Sequence, residues 1–286
     1  MKIYLEKRIN YRLILHVLLF FSLGIVTICH SVRAVEAQEW IIIPDKVYLY
    51  EEPDLSKRTT IEIAGYPGIV VGISQLKSQE AQTESQWIKI FHGQDHYFLP
   101  KALLIKKVLW SASDGNLKIG QEQVDRWNPL PFNYKPDDVI KLPQKWNYHP
   151  KEYPKYLRSE AAEMLVEMLT AAEKQNIHIR VVSAFRSAFD QRRLYLRKIN
   201  QAGLDQILVA KPGHSEHQLG TTVDLCGLDP DYVLKLEFSR TKEGKWLQEN
   251  AGYYGFKQSY TEENSEEKGY SPEPWHFRYI GNNISD

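Results

Sequence analysis

Two short stretches far apart in the chain carry the donor types of a metal site. Pro212–Leu225 contains His214, His217, Gly220 and Asp224, and about fifty residues later Glu273-Pro274-Trp275-His276 sets a carboxylate three positions before an imidazole. A hydrolytic zinc site uses three protein ligands, imidazole or carboxylate, and leaves one position open to water. His217 and Asp224 supply two ligands, and their spacing of seven is not the helical i, i+4 pair of a H-E-x-x-H motif, which this chain lacks. Gly220 between them allows the backbone to fold back so that both side chains face one ion. The third ligand must come from elsewhere, and His276 is the best candidate. His214 competes with His217, but the spacing to Gly220 and Asp224 favours His217. Pro272 and Pro274 break the strand alternation around Glu273, so that Glu273 and His276 can share a focus, and a carboxylate there can move a proton from water to a leaving amine. Cys226, two residues after Asp224, is read as a buried inert thiol.

The elements that must position these residues follow from local pattern. Ser159–Gln175 reads as a helix, with Ser159 as its cap and Ala161, Met164, Leu165, Met168, Leu169 and Ala172 on its apolar face. A strand over 177–183 follows, with His178 as a structural residue, then Arg186 and a second helix over Ala188–Ala202 stopped by Gly203. The stretch 211–217 reads as a loop and 221–225 as a strand. A short helix is expected over Lys242–Asn250, a strand at Tyr253–Phe256, an exposed polar loop at 261–268, and a closing strand at 275–280. Prolines 129, 131 and 136 keep 126–142 extended. The order is irregular and holds no βαβ repeat, so 126–286 reads as an α+β domain with a small antiparallel sheet.

Ahead of it, 38–106 shows five or six short β-branched and aromatic runs broken by turn clusters, the pattern of a small all-β barrel. Its Trp-initiated strand, glycine-containing turn and closing aromatic strand resemble bacterial SH3-like domains. His92 and His96 fall in strand–turn–strand sequence and read as ordinary turn and edge residues. Residues 107–125, carrying Ser, Asp, Gly and Gln, read as a linker.

Segments spaced along 126–282 resemble the VanY-type D-alanyl-D-alanine carboxypeptidases, zinc enzymes of the bacterial cell wall. They are Asn128-Pro129-Leu130-Pro131 with Tyr134-x-Pro136-Asp137-Asp138, Ser183-Ala184-Phe185-Arg186-Ser187, Gln191 with Leu194-Tyr195, Ser215-x-His217-x-x-Gly220-x-x-x-Asp224, and Glu273-Pro274-Trp275-His276-Phe277-Arg278-Tyr279-Ile280-Gly281. The resemblance implies His217, Asp224 and His276 as ligands of one zinc ion and Glu273 as general base and then acid. It implies Arg186 as the group that stabilises the oxyanion or anchors the substrate, and Ser215 and Gln191 as candidates for the peptide's terminal carboxylate. Peptidoglycan stem peptides are the implied substrate, with the SH3-like module binding the cell wall. Three departures stand out: Thr222 where the pattern has a small residue, Pro272 where an aromatic is common, and the acidic 262–268 stretch. They bear on the pocket rim and substrate choice rather than on the ligands.

Composition is consistent with an extracytoplasmic enzyme. Lys2, Lys7, Arg8 and Arg12 precede an apolar run, Leu13–Cys29, and small residues suited to a signal peptidase follow it, so residues 1–34 read as a signal peptide or an N-terminal anchor. Without them 31 basic residues face 35 acidic ones, which gives no basic excess for nucleic acid. Cys226 is then left without a disulfide partner in the chain, so the fold must rest on its core or on a metal. Three alternatives stay open: an L,D-carboxypeptidase, an endopeptidase on the same scaffold, and a non-catalytic zinc-stabilised wall-binding protein. A Ser-x-x-Lys nucleophile in a plausible setting is absent, which disfavours a serine-type enzyme.

Overall fold

The computed structural model describes residues 38–66, 68–76, 84–92, 94–108, 115–149 and 153–281. The segment read as a signal peptide or anchor lies outside them. No helix among the described residues is long and apolar enough to cross a membrane.

Seven strands form the first sheet: β1 (Gln38–Ile42), β2 (Lys46–Tyr50), β3 (Arg58–Ala64), β4 (Ile69–Leu76), β5 (Glu84–His92), β6 (Asp95–Pro100) and β7 (Leu104–Lys106). They pair antiparallel in the order β3-β2-β6-β5-β4-β1-β7. Alternation decides the register: Val47 and Leu49 of β2 and Ile88 and Ile90 of β5 point into one core with Trp40, Ile42, Leu99 and Leu104. Among the described residues no ladder joins β3 to β7, so the sheet has two edges there.

The connection expected as a linker packs where it enters the second half. Val124 is buried with Leu130, Tyr134 and Leu219. Glu122 pairs with Arg278 at 2.8 Å, and Arg158 Nη1 donates to the Leu117 carbonyl. Composition alone reads Ser, Asp and Gly as linker, yet Val124 and Glu122 are anchored by a hydrophobic and an ionic partner more than thirty residues away.

Short strands β8 (Val139–Lys141) and β9 (Tyr156–Arg158) pair and lead into α1 (Ser159–Lys174). Arg158, not Ser159, holds the cap position of α1; Ser159 is already helical, and its N–H donates to the Asp138 carbonyl. The expected apolar face is buried, with Ala162 added and Met164 partly covered. Asn176 turns the chain at φ +61, so the strand expected over 177–183 begins later, as β10 (Arg180–Ser183), and His178 lies before it, bonded to Asn176. Helix α2 (Ala188–Ala202) is capped by Ser187, whose hydroxyl accepts from the Asp190 N–H, and ends at Gly203.

β11 (Thr222–Cys226), β12 (Phe256–Gln258) and β13 (His276–Tyr279) complete an antiparallel sheet in the order β10-β11-β13-β12. Helix α1 and helix α3 (Lys242–Asn250) cover it around Trp146, Leu165, Leu169, Val223, Leu247 and Phe277. The strand expected at Tyr253–Phe256 is a 3-10 turn over Ala251–Tyr254 closed by left-handed Gly255, and strand geometry begins only at Phe256. The polar 261–268 stretch contains a single helical turn, α4 (Ser265–Lys268).

Candidate metal centre and active-site cleft

The two central strands of the second sheet set the site. In the β11–β13 register Asp224 lies directly opposite His276, so the aspartate and the imidazole project side by side from one face. His217 arrives from the 3-10 turn Glu216–Leu219 that precedes β11. Gly220 closes that turn at φ +76, and a Cβ there would lie 2.9 Å from Pro136 Cγ and 3.1 Å from Arg158 Cγ. Only glycine accepts both the dihedral and the space. Glu273 reaches the same point because the chain turns between the two prolines: the His276 N–H donates to the Glu273 carbonyl and the Glu273 N–H to the Tyr260 carbonyl.

His217, Asp224 and His276 offer donor atoms that all lie within 4.8 Å of one another, and all three side chains are buried. His217 Nε2 stands 3.1 Å from Asp224 Oδ2 and His276 Nδ1 stands 3.0 Å from Asp224 Oδ1. The outward nitrogens are occupied: His217 Nδ1 donates to the Ala184 carbonyl at 2.8 Å, and His276 Nε2 bonds Glu216 Oε2 at 3.1 Å. Those outer bonds leave the inner nitrogen of each ring facing Asp224, where loss of its proton would present a lone pair to an ion. Two imidazoles and a carboxylate on one focus, each oriented from behind, fit a zinc ion in donor type and number.

Electrostatics agrees with a site built for a cation. Burial works against the charge of Asp224, yet His217 and His276 hold its carboxyl well below the usual range. Burial likewise disfavours a charged Glu216, but His276 and Arg278 bring it down to about 2. Burial lowers the His276 imidazole, and the bonds to Asp224 and Glu216 outweigh it and carry it up to about 10. Negative charge therefore exceeds what the two rings neutralise without drawing protons. Glu273 behaves differently. Burial pushes its carboxyl up to about 7 against the pull of His276, 3.4 Å away, while 27% of the side chain stays open to the cleft. A carboxyl near neutrality beside the metal focus suits a group that takes and returns a proton.

Arg186 faces this centre from the segment after β10. Its N–H donates to the His217 carbonyl, its Nε to Gln191 Oε1 at 2.6 Å and its Nη1 to Ser183 Oγ at 3.2 Å, with Ser215 Oγ at 3.5 Å from Nη2. The structure thus brings together all seven residues singled out in the sequence. Gln191 spans two groups, because its Nε2 also donates to the Ala210 carbonyl at 2.7 Å. A cleft of about 350 Å³ opens over Arg186, Ser215, Glu273 and His276, with Tyr260 and Trp275 on its wall.

His214 lies apart. Its Nδ1 bonds the Asp125 carbonyl, and burial takes its imidazole down to about 4. Cys226 is fully buried on β11, its thiol pushed up to about 12 by burial. Two residues of the site escaped the sequence reading. Glu216 supports His276 and also accepts from Arg278 Nη1 at 3.1 Å, and Arg278 continues to Glu122. The signals were present as an acid beside His217 and an arginine two after His276, but a carboxylate in a polar loop reads as solvated until its partner strand is known.

The family model for D-alanyl-D-alanine carboxypeptidases, VanY, matches residues 154–282, the stretch that carries His217, Asp224, His276, Glu273, Arg186, Gln191, Ser215, Glu216 and Arg278. The bifunctional D-Ala-D-Ala dipeptidase and D-Ala-D-Ala carboxypeptidase VanXYC of Enterococcus gallinarum is 32% identical over 163 residues, which cover 55% of this chain and 82% of VanXYC. The chain belongs to the VanY family. YodJ of Bacillus subtilis (strain 168) is 34% identical over 160 residues, and the chain spans 59% of its length. The LdcB LD-carboxypeptidase structure is 34% identical with a TM-score of 0.52, covering 56% of this chain and 76% of that one. The first sheet lies ahead of the VanY match, which contains every strand of the second sheet.

Proposed function

We propose that this VanY-family chain is a zinc-dependent D,D-carboxypeptidase that removes the terminal D-Ala from peptidoglycan stem peptides. The observation that carries the reading is the convergence of His217, Asp224 and His276 on one focus with Glu273 and Arg186 at the edge of the same cleft. His217 Nε2, an Asp224 carboxylate oxygen and His276 Nδ1 would hold one ion. When bound, zinc supplies Lewis acidity, polarising a carbonyl and making water acidic near neutral pH. Glu273 takes the proton as water adds to the scissile carbonyl carbon. Arg186, permanently charged and fixed by Gln191 and Ser183, presents directed N–H donors to the oxyanion or to the substrate. Glu273 then gives its proton to the amine as the C–N bond breaks, which frees D-Ala and restores the carboxylate. Ser215, 3.5 Å from Arg186 Nη2, would contact the peptide's terminal carboxylate. Gln191 holds Arg186 and faces the same cleft.

The 34% identity to an LD-carboxypeptidase supports a second reading on the same ligands, hydrolysis of the bond that ends a tetrapeptide stem. Mass spectrometry of defined pentapeptide and tetrapeptide stems separates the two. Release of D-Ala from the pentapeptide is expected; cleavage of the tetrapeptide alone would transfer the assignment. Residues 1–34 would direct the chain out of the cytoplasm to that substrate. The seven-stranded sheet would act as an SH3-like wall-binding module, which sedimentation with purified peptidoglycan tests.

A further inference from the structure

The cleft wall formed by α2 and residues 203–211 is held from outside the family-matched region. Two residues touch the arginine's support directly: Gln191, whose Oε1 accepts from Arg186 Nε, and Ala210, whose carbonyl accepts from Gln191 Nε2. The next residue after each of them is tied to the first sheet. Arg192 is buried, donates from Nε to the Ile43 carbonyl at 2.5 Å and from Nη2 to Asp45 at 2.6 Å, and lays its guanidinium over the Tyr66 ring at 4.5 Å. Lys211 Nζ donates to the carbonyls of Lys101 at 2.7 Å and Leu104 at 3.3 Å. One turn along α2, the Tyr195 hydroxyl donates to the Ala102 carbonyl at 2.9 Å, and the Tyr195 ring is buried against Ile43 and Ile105.

We infer that the first sheet is a working part of the active site, in which Arg192, Tyr195 and Lys211 are positioning residues that fix Gln191 and Ala210 and through them the guanidinium of Arg186. Three features carry this. The acceptors on the sheet side are mostly main-chain carbonyls, which exchange less freely than side chains and so set α2 at a definite height. Two anchors grip the two ends of one hydrogen bond, that from Gln191 Nε2 to the Ala210 carbonyl, so a shift of either strains the Gln191–Arg186 bond. A buried arginine is costly unless its donors are met, and Arg192 meets them across the sheet boundary, so the contact is obligatory for α2 rather than incidental. An SH3-like wall-binding role for the sheet is compatible with this and independent of it.

The inference rests on the proposed hydrolysis, and the test separates the two. Full-length protein is compared with Lys211→Met, Tyr195→Phe and their combination, with Lys46→Met, an exposed lysine of the same sheet, as a control, each with zinc content and melting temperature measured. The expected result is full zinc occupancy, a fall in kcat/KM of about ten-fold in the combined variant, in line with the sensitivity of rate to small misplacements, and near-wild-type activity in Lys46→Met. The same combination in a Gln191→Leu background should lower kcat/KM no further, because the route to Arg186 is already cut; a full additional ten-fold loss would mean general destabilisation and overturn the inference. Unchanged kcat/KM in the combined variant overturns it while leaving the hydrolytic reading intact. If the zinc-loaded wild type releases nothing from any stem peptide, the hydrolytic reading fails, and hydrogen–deuterium exchange decides the positioning claim alone. Faster exchange over 183–191 and 205–215 in the combined variant upholds it, and unchanged exchange overturns it.

Discussion

At the scale of single residues, the ionisable groups of this centre divide by surroundings. Asp224 and Glu216 are kept charged by histidine and arginine partners, while Glu273, with fewer partners and more burial than solvent, rises to about 7. Glu273→Gln preserves shape and removes the base, so kcat should fall by about 10²–10⁴-fold with zinc content unchanged, read by steady-state kinetics and metal analysis. Glu216→Gln removes a charged support behind His276 and should weaken zinc binding by about 10–100-fold, read by competition with a chelating dye. His214 gives a pH prediction independent of the metal. Its folded-state pKa, about 4, lies below its ordinary 6.5, so between those values the unfolded chain binds a proton that the native state refuses. Stability from this group is complete above pH 6.5 and is lost as pH falls towards 4, by about 3 kcal/mol. Glu273, raised from 4.5 to about 7, contributes with the opposite sign over much of that window, so the His214 contribution is read as the difference between wild type and His214→Gln in urea titrations, which should grow as pH rises from 4 to 6.5.

At the scale of elements, the site depends on a cross-strand register and one tight turn. Asp224 and His276 meet because β11 and β13 pair in that register, and His217 joins them through the turn closed by Gly220. Gly220→Ala adds a Cβ where φ is +76 and Pro136 and Arg158 leave no room. The expected cost is about 1–3 kcal/mol of stability, with weaker zinc binding as His217 is displaced; calorimetry and metal titration check both. The ligand types, the pivot glycine and the helices at 188–202 and 242–250 were legible in the sequence, since each leaves a local mark in donor spacing, apolar period or capping. The strand at Tyr253–Phe256 was not, because aromatic residues favour strands in general, whereas the left-handed Gly255 imposes a turn here. The Ser159 cap failed for a related reason: the β8–β9 pair carries strand geometry up to Arg158, which moves the helix start by one residue.

At the scale of the whole molecule, partners distant in sequence decide what local pattern could not. Glu122, Glu216, Arg278 and His276 form a buried chain of charges from the supposed linker to the metal focus, and no window of sequence contains it. Thr222, one of the departures from the family pattern, is wholly buried on β11, and nothing in the structure explains the choice of a hydroxyl there. With no disulfide available to Cys226 among the described residues, bound metal should contribute to stability. Free zinc at a hundred times its Kd should stabilise the protein by about 2.7 kcal/mol, a melting-temperature rise that His276→Ala abolishes. In the proposed reaction this centre hydrolyses the terminal D-Ala bond with metal and Glu273 acting together. Free D-Ala released from a defined stem pentapeptide by the full-length protein measures it most directly. Release should stop with chelator, return with zinc, and stay absent in zinc-loaded Glu273→Gln; undiminished release from that variant, or an intact pentapeptide with the zinc-loaded wild type, would overturn the assignment.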